Sequence, residues 1–188
     1  TDRFKDGDPR NNPAPPRFSA DCQASLLYCG GDWAGIAEVI RSGYFRELGV
    51  TALQISVPMQ NTPIVQAKNG APYHGYWLYD MKRPEPAFGS WDDFRALVHT
   101  AHGHGLKLLI DIVINQGGPL EHGLLRDDGR LLADARHDPE GRLHPGGEAD
   151  YTRDEDMLYR SLYDLVDLNQ HHPRINRYLR EMTRLWLD

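Results

Sequence analysis

One segment constrains the fold more than any other: Leu106–Ile110 is a run of leucine and isoleucine interrupted by a single lysine. A run this apolar predicts a strand that is covered on both faces, as in a parallel sheet. It is followed by an acid and two amides, Asp111, Asn115 and Gln116. In barrels of alternating strands and helices, active sites lie at the C-terminal ends of the strands. We therefore expect these polar side chains to lie at a functional edge.

The rest of the chain alternates between helical and strand patterns. The first half of the chain predicts a loop over 5–32, a helix from Trp33 to Leu48, a strand from Val50 to Val57 and a loop from Pro58 to Gly89. A helix capped by Ser90 and Asp93 and the strand of 106–110 follow, and 117–160 is predicted to be an irregular excursion without a helix. The chain then returns to the main body at Leu162–Leu168 and forms a helix from Pro173, whose apolar face comprises Ile175, Tyr178, Leu179, Met182, Leu185 and Trp186. This order predicts a parallel α/β arrangement. Two complete strands cannot close a barrel, so we expect the sequence to be part of a larger barrel protein.

Charge and hydropathy exclude some classes of partner. The net charge of −6 argues against a nucleic-acid or polyanionic partner. No apolar run approaches the roughly 18 residues that a membrane span needs, so no membrane partner is predicted.

The two cysteines, Cys22 and Cys29, are close in sequence and leave two readings open. A disulfide would close a short surface loop and stabilise the fold by about 2–3 kcal/mol, and it would indicate an oxidising compartment. The alternative is two free thiols. The spacing is not that of a zinc site.

Hard oxygen donors are crowded in the first loop, at Asp6, Asp8, Asn11, Asn12 and Asp32. Calcium binds six to eight oxygens from carboxylates, amides and backbone carbonyls. Three acids held close together would repel each other without a cation. Ordinary turn chemistry uses the same residue types and is the alternative.

Several motifs together carry a family resemblance. The segment Asp111–Gln116 resembles the first signature of the α-amylase clan of glycoside hydrolases, Asp-x-x-x-Asn-His, with Gln116 in place of the histidine. The segments that resemble cyclodextrin glucanotransferases, in the same order and with similar gaps, are Thr1–Phe4, Asp6–Pro9, Asn11-Asn12, Tyr28–Trp33, Tyr73–Trp77 and Leu162–Asn169. The resemblance covers nearly all of the chain, and the ordered set is specific.

The resemblance implies a fold and a domain division. The chain would be the N-terminal part of a (β/α)8 barrel, with a small B domain inserted after the third strand. Residues 1–116 would form the first part of the barrel, 117–166 the B domain, and 167–188 the continuation of the barrel. The catalytic nucleophile and acid of the clan follow later strands, so no catalytic residue is expected in this chain.

The resemblance also implies two calcium ions. The carbonyl of Gly30 would join the donors of the first loop. A second ion would bind Asn115, Asp167 and the backbone near Leu158, and would hold the B domain to the barrel.

Four residues are implied to contact sugar. His74 and Tyr76 would line the subsite of the glucosyl unit that is cut, although a loop histidine and a packed aromatic are the alternative. Tyr163 matches the central aromatic around which the glucan curls in cyclodextrin-forming enzymes, and core packing is its alternative. Gln116 replaces a histidine that bonds the primary hydroxyl of the sugar, and its amide does not titrate near neutrality.

The glutamine at position 116 predicts which donor substrate the enzyme prefers within this clan. A lost hydrogen bond costs on the order of 1–3 kcal/mol, so starch would be a poorer substrate. The acarviosyl transferases, relatives of the cyclodextrin glucanotransferases, depart from the clan at this histidine, and the acarviosyl unit lacks a primary hydroxyl in the relevant ring region. The expected protein is a secreted monomeric transglycosylase acting on an α-1,4-glucan or an acarbose-like oligosaccharide. An α-amylase of the same clan and a non-catalytic sugar-binding relative are the alternatives.

Overall fold

The computed structural model of the protein describes residues 1–22, 26–147 and 149–187. It divides into two compact units, each containing helices and strands, which agrees with the predicted α/β class. Unit 1 comprises Thr1–Pro58, Pro63–Gly75 and Pro84–Asp111, and unit 2 comprises Met59–Thr62, Tyr76–Arg83 and Ile112–Asp188. In the described part of the chain, no helix combines the length and apolarity that crossing a membrane requires.

A short 3₁₀ helix at Pro9–Asn11 precedes the regular elements. The helices are α1 (Trp33–Arg41), α2 (Tyr44–Glu47), α3 (Trp91–Gly103), α4 (Asp154–Tyr159) and α5 (Pro173–Leu187). The strands are β1 (Ala52–Ile55), β2 (Met59–Asn61), β3 (Leu78–Pro84), β4 (Lys107–Ile110), β5 (Gln116–Pro119), β6 (Leu124–Asp127), β7 (Arg130–Asp134) and β8 (Leu165–Asp167).

Unit 1 is built on a parallel pair of strands, β1 and β4, with Ala52 opposite Lys107 and Ile55 opposite Ile110. Helices α1 and α3 pack together, and the buried ring of Trp33 meets Phe94 edge-on with ring centroids 5.1 Å apart. The parallel pairing is as predicted. The expected covering of β4 on both faces is not seen within the described residues, where Leu109 is 55% exposed.

The predicted single helix from Trp33 to Leu48 is divided into α1 and α2. The break falls at Gly43, whose φ of +85° is a left-handed conformation that favours glycine and cannot continue a right-handed helix. The side chain of Asp32 caps α1 by accepting a hydrogen bond from the Gly35 amide at 2.7 Å.

Helix α3 begins with the predicted capping box. The Asp93 amide donates to Ser90 Oγ at 3.3 Å, and the Ser90 amide donates to Asp93 Oδ2 at 2.8 Å. Its spacing also predicts a buried face of Phe94, Leu97, Val98 and Ala101. The helix is confirmed, and this face is buried except for Val98, which is half-buried.

Unit 2 contains a four-stranded sheet in the order β2-β3-β6-β7 and an antiparallel pair of β5 and β8. Helix α5 is held against β3 by two polar contacts: the Met81 amide donates to Tyr178 Oη at 2.7 Å, and Trp186 Nε1 donates to the Met81 carbonyl at 2.8 Å. The predicted apolar face of α5 is buried except for Leu185, which is 43% exposed.

Several elements of unit 2 were not predicted. Strands β2 and β3 lie in the stretch from Pro58 to Gly89 that was expected to be a loop. Strands β5, β6 and β7 and helix α4 lie in the region expected to be an irregular excursion without a helix. Strand β3 depends on a tertiary contact, because the carboxylate of the fully buried Asp80 accepts hydrogen bonds from the amides of Asp128 and Gly129 in the turn between β6 and β7.

Candidate cation and sugar sites

An oxygen cradle forms in unit 1 where side-chain oxygens of Asp6 and Asn12 approach Gly30, and Asn11 precedes Asn12 in the same loop. Gly30 has φ +92°, and a Cβ atom there would lie 2.5 Å from Asn12 Oδ1 and 2.8 Å from Asp6 Oδ2. Only glycine lets these oxygens approach the backbone so closely. Asn12 Nδ2 donates to Asp6 Oδ2 at 2.8 Å, while Oδ1 of Asn11 and Oδ1 of Asn12 are both buried and have no hydrogen-bond partner among the described residues.

The buried Asp32 carboxylate organises the loop around this cradle. Its Oδ1 accepts from the amides of Gly7 and Gly35, and its Oδ2 accepts from the Asp8 amide and from Asn11 Nδ2, at 2.7–3.0 Å. These four donors fix the loop to the start of α1. Asp32 would need to exchange one of them to bind a cation directly.

Asp8 is engaged differently from the other predicted donors. Its carboxylate receives Arg10 Nε at 2.7 Å and Arg10 Nη2 at 2.9 Å, and these bonds to Arg10 lower the pKa of the carboxyl below its usual value. The Asp8 side chain therefore points to Arg10 in the structure.

The donor chemistry of the cradle fits a hard cation. Two buried amide oxygens that lack hydrogen-bond donors are unfavourable unless a positive charge satisfies them, and calcium prefers such oxygens. No group of three or more His, Cys, Asp or Glu able to hold a metal occurs among the described residues. The cradle combines one carboxylate with side-chain amide oxygens instead.

The second predicted cation site is partly assembled in unit 2. Asn115 Nδ2 donates to Asp167 Oδ1 at 3.0 Å, and His144 Nδ1 lies 2.6 Å from Asp167 Oδ2. Burial raises the pKa of the Asp167 carboxyl, which the bonds to His144 and Asn115 oppose. Sequence reasoning missed His144. Leu158 lies on α4 with 62% of its surface exposed.

A disulfide joins Cys22 to Cys29, with Cα atoms 5.7 Å apart. Cys29 directly precedes the cradle glycine, and its amide donates to Asp2 Oδ1 at 2.9 Å. The bridge therefore holds the backbone on one side of the cradle.

The predicted sugar residues are distributed over both units. His74 lies in unit 1, half-buried, and burial lowers the pKa of its imidazole, which is therefore neutral at pH 7. Tyr76, Gln116 and Tyr163 belong to unit 2. Tyr76 is 41% exposed, which leaves its ring accessible to a ligand.

Gln116 begins β5, where its register partner across the sheet is Asp167. The residue is half-buried. A neutral amide in this position offers hydrogen-bond donors and an acceptor at every physiological pH.

Tyr163 is 81% exposed and has a left-handed φ of +53°, so core packing does not explain it. Its ring lies 6.0 Å from that of Tyr151, which is itself 53% exposed. Sequence reasoning missed Tyr151, and the only available signal was an aromatic residue within a polar stretch. Together the two rings offer an apolar surface on which a sugar can stack.

Comparisons with known proteins identify a matching family and similar structures. A model of the α-amylase catalytic domain matches residues 1–127. A cyclomaltodextrin glucanotransferase from Bacillus sp. (strain 1-1) is 40% identical over 196 residues, which cover 100% of this chain and 28% of that protein. The crystal structure of a gamma-CGTase from alkalophilic Bacillus clarkii superimposes with a TM-score of 0.97 at 46% identity, again over 100% of this chain and 28% of that one.

A more distant structure, an α-amylase from Geobacillus thermoleovorans complexed with acarbose, has a TM-score of 0.71 at 28% identity and covers 91% of this chain and 35% of that one. The chain thus spans about a quarter to a third of the length of these proteins.

Proposed function

The chain belongs to the α-amylase catalytic-domain family, and from this premise we propose that it forms the first part of a retaining α-glucan transglycosylase. Its fold is the N-terminal part of a TIM-barrel glycosidase, as the resemblance implied. Such an enzyme uses one carboxylate as nucleophile and a second as acid and base. Both would follow later strands of the barrel, and the glycosyl-enzyme would be passed to a sugar instead of water.

The observation that carries this proposal is the exposed ring of Tyr163 beside Tyr151. A large aromatic side chain kept in solvent has no stabilising role in a core, whereas it can stack on the apolar face of a glucosyl ring. The similarity to cyclomaltodextrin glucanotransferases over the whole chain supports the same reading.

Gln116 sets the donor specificity in this proposal. An amide cannot become cationic, so it stabilises the charged transition state less than imidazole does. A donor whose reacting ring lacks the primary hydroxyl loses nothing by this exchange. We therefore assign the protein a preference for transferring an acarviosyl unit. One similar α-amylase structure contains acarbose.

The proposed protein also binds calcium ions. The cradle of Asp6, Asn11, Asn12 and the Gly30 carbonyl would hold one ion, which would brace the loop against α1. Asn115 and Asp167, with the backbone near Leu158, would hold a second ion only after His144 had been displaced from Asp167. The first site has the stronger support. The disulfide supports a secreted protein, because such bonds persist in oxidising compartments.

The proposal is tested by assaying the full-length protein on acarbose and on starch beside a Gln116→His variant. The parent should transfer acarviosyl units to an acceptor sugar and act poorly on starch. The variant should gain roughly ten- to hundredfold on starch, which corresponds to a hydrogen bond of about 1–3 kcal/mol. Identical donor preferences in both proteins would refute the role of Gln116.

An α-amylase that hydrolyses its substrate is the second candidate, favoured by the similarity to the acarbose-bound α-amylase and to an α-amylase from Niallia circulans that is 42% identical. Product analysis separates the two. Linear sugars without any transfer product would favour the hydrolase, and mixed or cyclic products would favour the transferase.

A further inference from the structure

Three planar side chains, those of Arg3, Tyr73 and His74, contact one another in a row in unit 1. The guanidinium carbon of Arg3 lies 3.9 Å from the centroid of the Tyr73 ring, within the range of a cation–π contact. The Tyr73 ring in turn meets the His74 imidazole edge-on, with centroids 5.4 Å apart and an interplanar angle of 71°. Tyr73 therefore contacts both the Arg3 guanidinium and the His74 imidazole.

Arg3 is itself held in place by a buried acid. Its Nη1 lies 3.4 Å from Asp2 Oδ2 and also contacts Cys29 Sγ. Asp2 is only 3% exposed and accepts hydrogen bonds from the amides of Cys29 at 2.9 Å and Gly30 at 3.4 Å. The guanidinium is thus anchored to the same backbone segment that forms one side of the oxygen cradle.

The main chain around His74 is also held in place by hydrogen bonds, some of them to the segment just before Cys29. The Ala71 amide donates to the Leu26 carbonyl at 2.8 Å, and the Tyr28 hydroxyl donates to the Pro72 carbonyl at 3.3 Å. The Gly75 amide closes a turn on the Pro72 carbonyl at 3.0 Å. These bonds position the main chain of 71–75, and the edge contact with Tyr73 adds a constraint on the imidazole itself.

We propose that Arg3 and Tyr73 are positioning residues for His74, which they orient toward the glucosyl unit that it binds. The inference rests on the proposed function, in which His74 donates a hydrogen bond to that sugar. A hydrogen bond weakens steeply when its angle is poor, so a freely rotating imidazole would bind the sugar less well. Orientation by neighbours that do not touch the ligand is a common way to make such a bond effective.

The test measures maltoheptaose binding to the full-length protein by isothermal titration calorimetry. Tyr73→Leu removes the ring and Arg3→Met removes the planar cation, and each should weaken binding by roughly three- to thirtyfold. Tyr73→Phe keeps the ring and should bind like the parent. Arg95→Met is the matched control, because Arg95 also lies over an aromatic ring, that of Trp91, at 6.0 Å on α3.

A second readout separates positioning from general damage to the fold. NMR titration should show the His74 pKa of Tyr73→Leu moving toward the ordinary value of about 6.5, with no such change in Tyr73→Phe. Parent-like binding by Tyr73→Leu and Arg3→Met, or an equal loss in Arg95→Met, would overturn the proposal. If the parent itself did not bind maltoheptaose, the proposed function would fail, and an unmoved His74 pKa in Tyr73→Leu would refute the positioning separately.

Discussion

Asn12 donates a hydrogen bond from Nδ2 to Asp6 Oδ2 at 2.8 Å, and in the part of the chain that the structure describes nothing donates to its buried Oδ1. Asn11 bonds to Asp32 in the same way, from Nδ2 at 2.9 Å, and its buried Oδ1 likewise has no partner among those residues. Each unpartnered buried oxygen destabilises a fold by about 1–3 kcal/mol. Two such oxygens in one loop, one beside Asp6 and the other beside Asp32, are the basis for the proposed cation site.

Calcium removal should therefore lower the melting temperature of the parent protein. An ion present at a hundred times its dissociation constant stabilises the folded state by about 2.7 kcal/mol, and a domain of this size loses roughly 2–4 °C per kcal/mol. We expect a decrease of several degrees in excess chelator, measured by differential scanning calorimetry.

Asn12→Ala should abolish most of this response, because it deletes one of the cradle oxygens. Asp92→Asn is a suitable control, since Asp92 is an exposed acid on α3 whose carboxylate pairs with Arg95 and belongs to neither candidate cation site. A parent protein whose melting temperature ignores both calcium and chelator would argue against the cradle as a cation site.

Asp32→Ala should be among the most destabilising single substitutions in unit 1. The change removes the cap of α1 and leaves four N–H donors without their acceptor. We expect a loss of about 3 kcal/mol in the free energy of unfolding, measured by denaturant titration. Asp32→Asn keeps an acceptor oxygen and should lose less. An alanine variant as stable as the parent would show that the loop is held elsewhere.

Local patterns predicted those elements whose stability is local. The capping box of Ser90 and Asp93 and the amphipathic face of α5 follow from short-range rules. The parallel pairing of β4 with β1 was predicted from the alternation of strands and helices along the chain. Strand β3 could not be found in this way, because its sequence contains Asp80, which is buried only through amides about fifty residues later. Gly43 is present in the sequence as a possible helix break, but the helical spacing of the apolar residues around it predicts one continuous helix.

In the candidate sites, too, residues that depend on distant partners could not be predicted from the sequence. Motif order identified Asp6, Asn12 and Gly30, which the structure brings together. His144 and Tyr151 carried no motif, because each acquires a partner only when distant segments meet. Spacing alone also could not show that the Asp8 carboxylate is bound by Arg10. Such relationships depend on tertiary structure that a single sequence does not encode as a pattern.

Ser90→Ala should destabilise the protein by about 1 kcal/mol, the usual value for loss of an N-terminal helix cap. The substitution removes the acceptor for the Asp93 amide and one partner of the Asp93 carboxylate. Thermal denaturation would measure the change. Ser90→Thr retains a capping hydroxyl and should recover most of the stability, so equal losses in both variants would contradict the assignment.

Tyr163→Ala should leave stability within about 0.5 kcal/mol of the parent, because the side chain is 81% exposed. It should nevertheless weaken maltoheptaose binding and reduce the ratio of transfer to hydrolysis, since the stacking surface is lost. Tyr163→Phe keeps that surface and should behave like the parent. The measurements are calorimetric binding and chromatography of products. A large loss of stability in Tyr163→Ala would indicate a structural role instead.

The burial of His74 predicts a stability difference that depends on pH. Burial lowers its folded-state pKa below the ordinary value of 6.5, so the unfolded chain takes up a proton before the folded protein does. The contribution of His74 to stability is therefore fully present above pH 6.5 and is lost as the pH falls toward the folded-state pKa. Denaturant unfolding of the parent and of His74→Asn at several pH values would measure it, with the parent losing more stability on acidification. His99→Asn serves as the control, because His99 lies on α3, outside the 71–75 loop. Parallel pH profiles for the parent and His74→Asn would show that the imidazole is not buried in its neutral form.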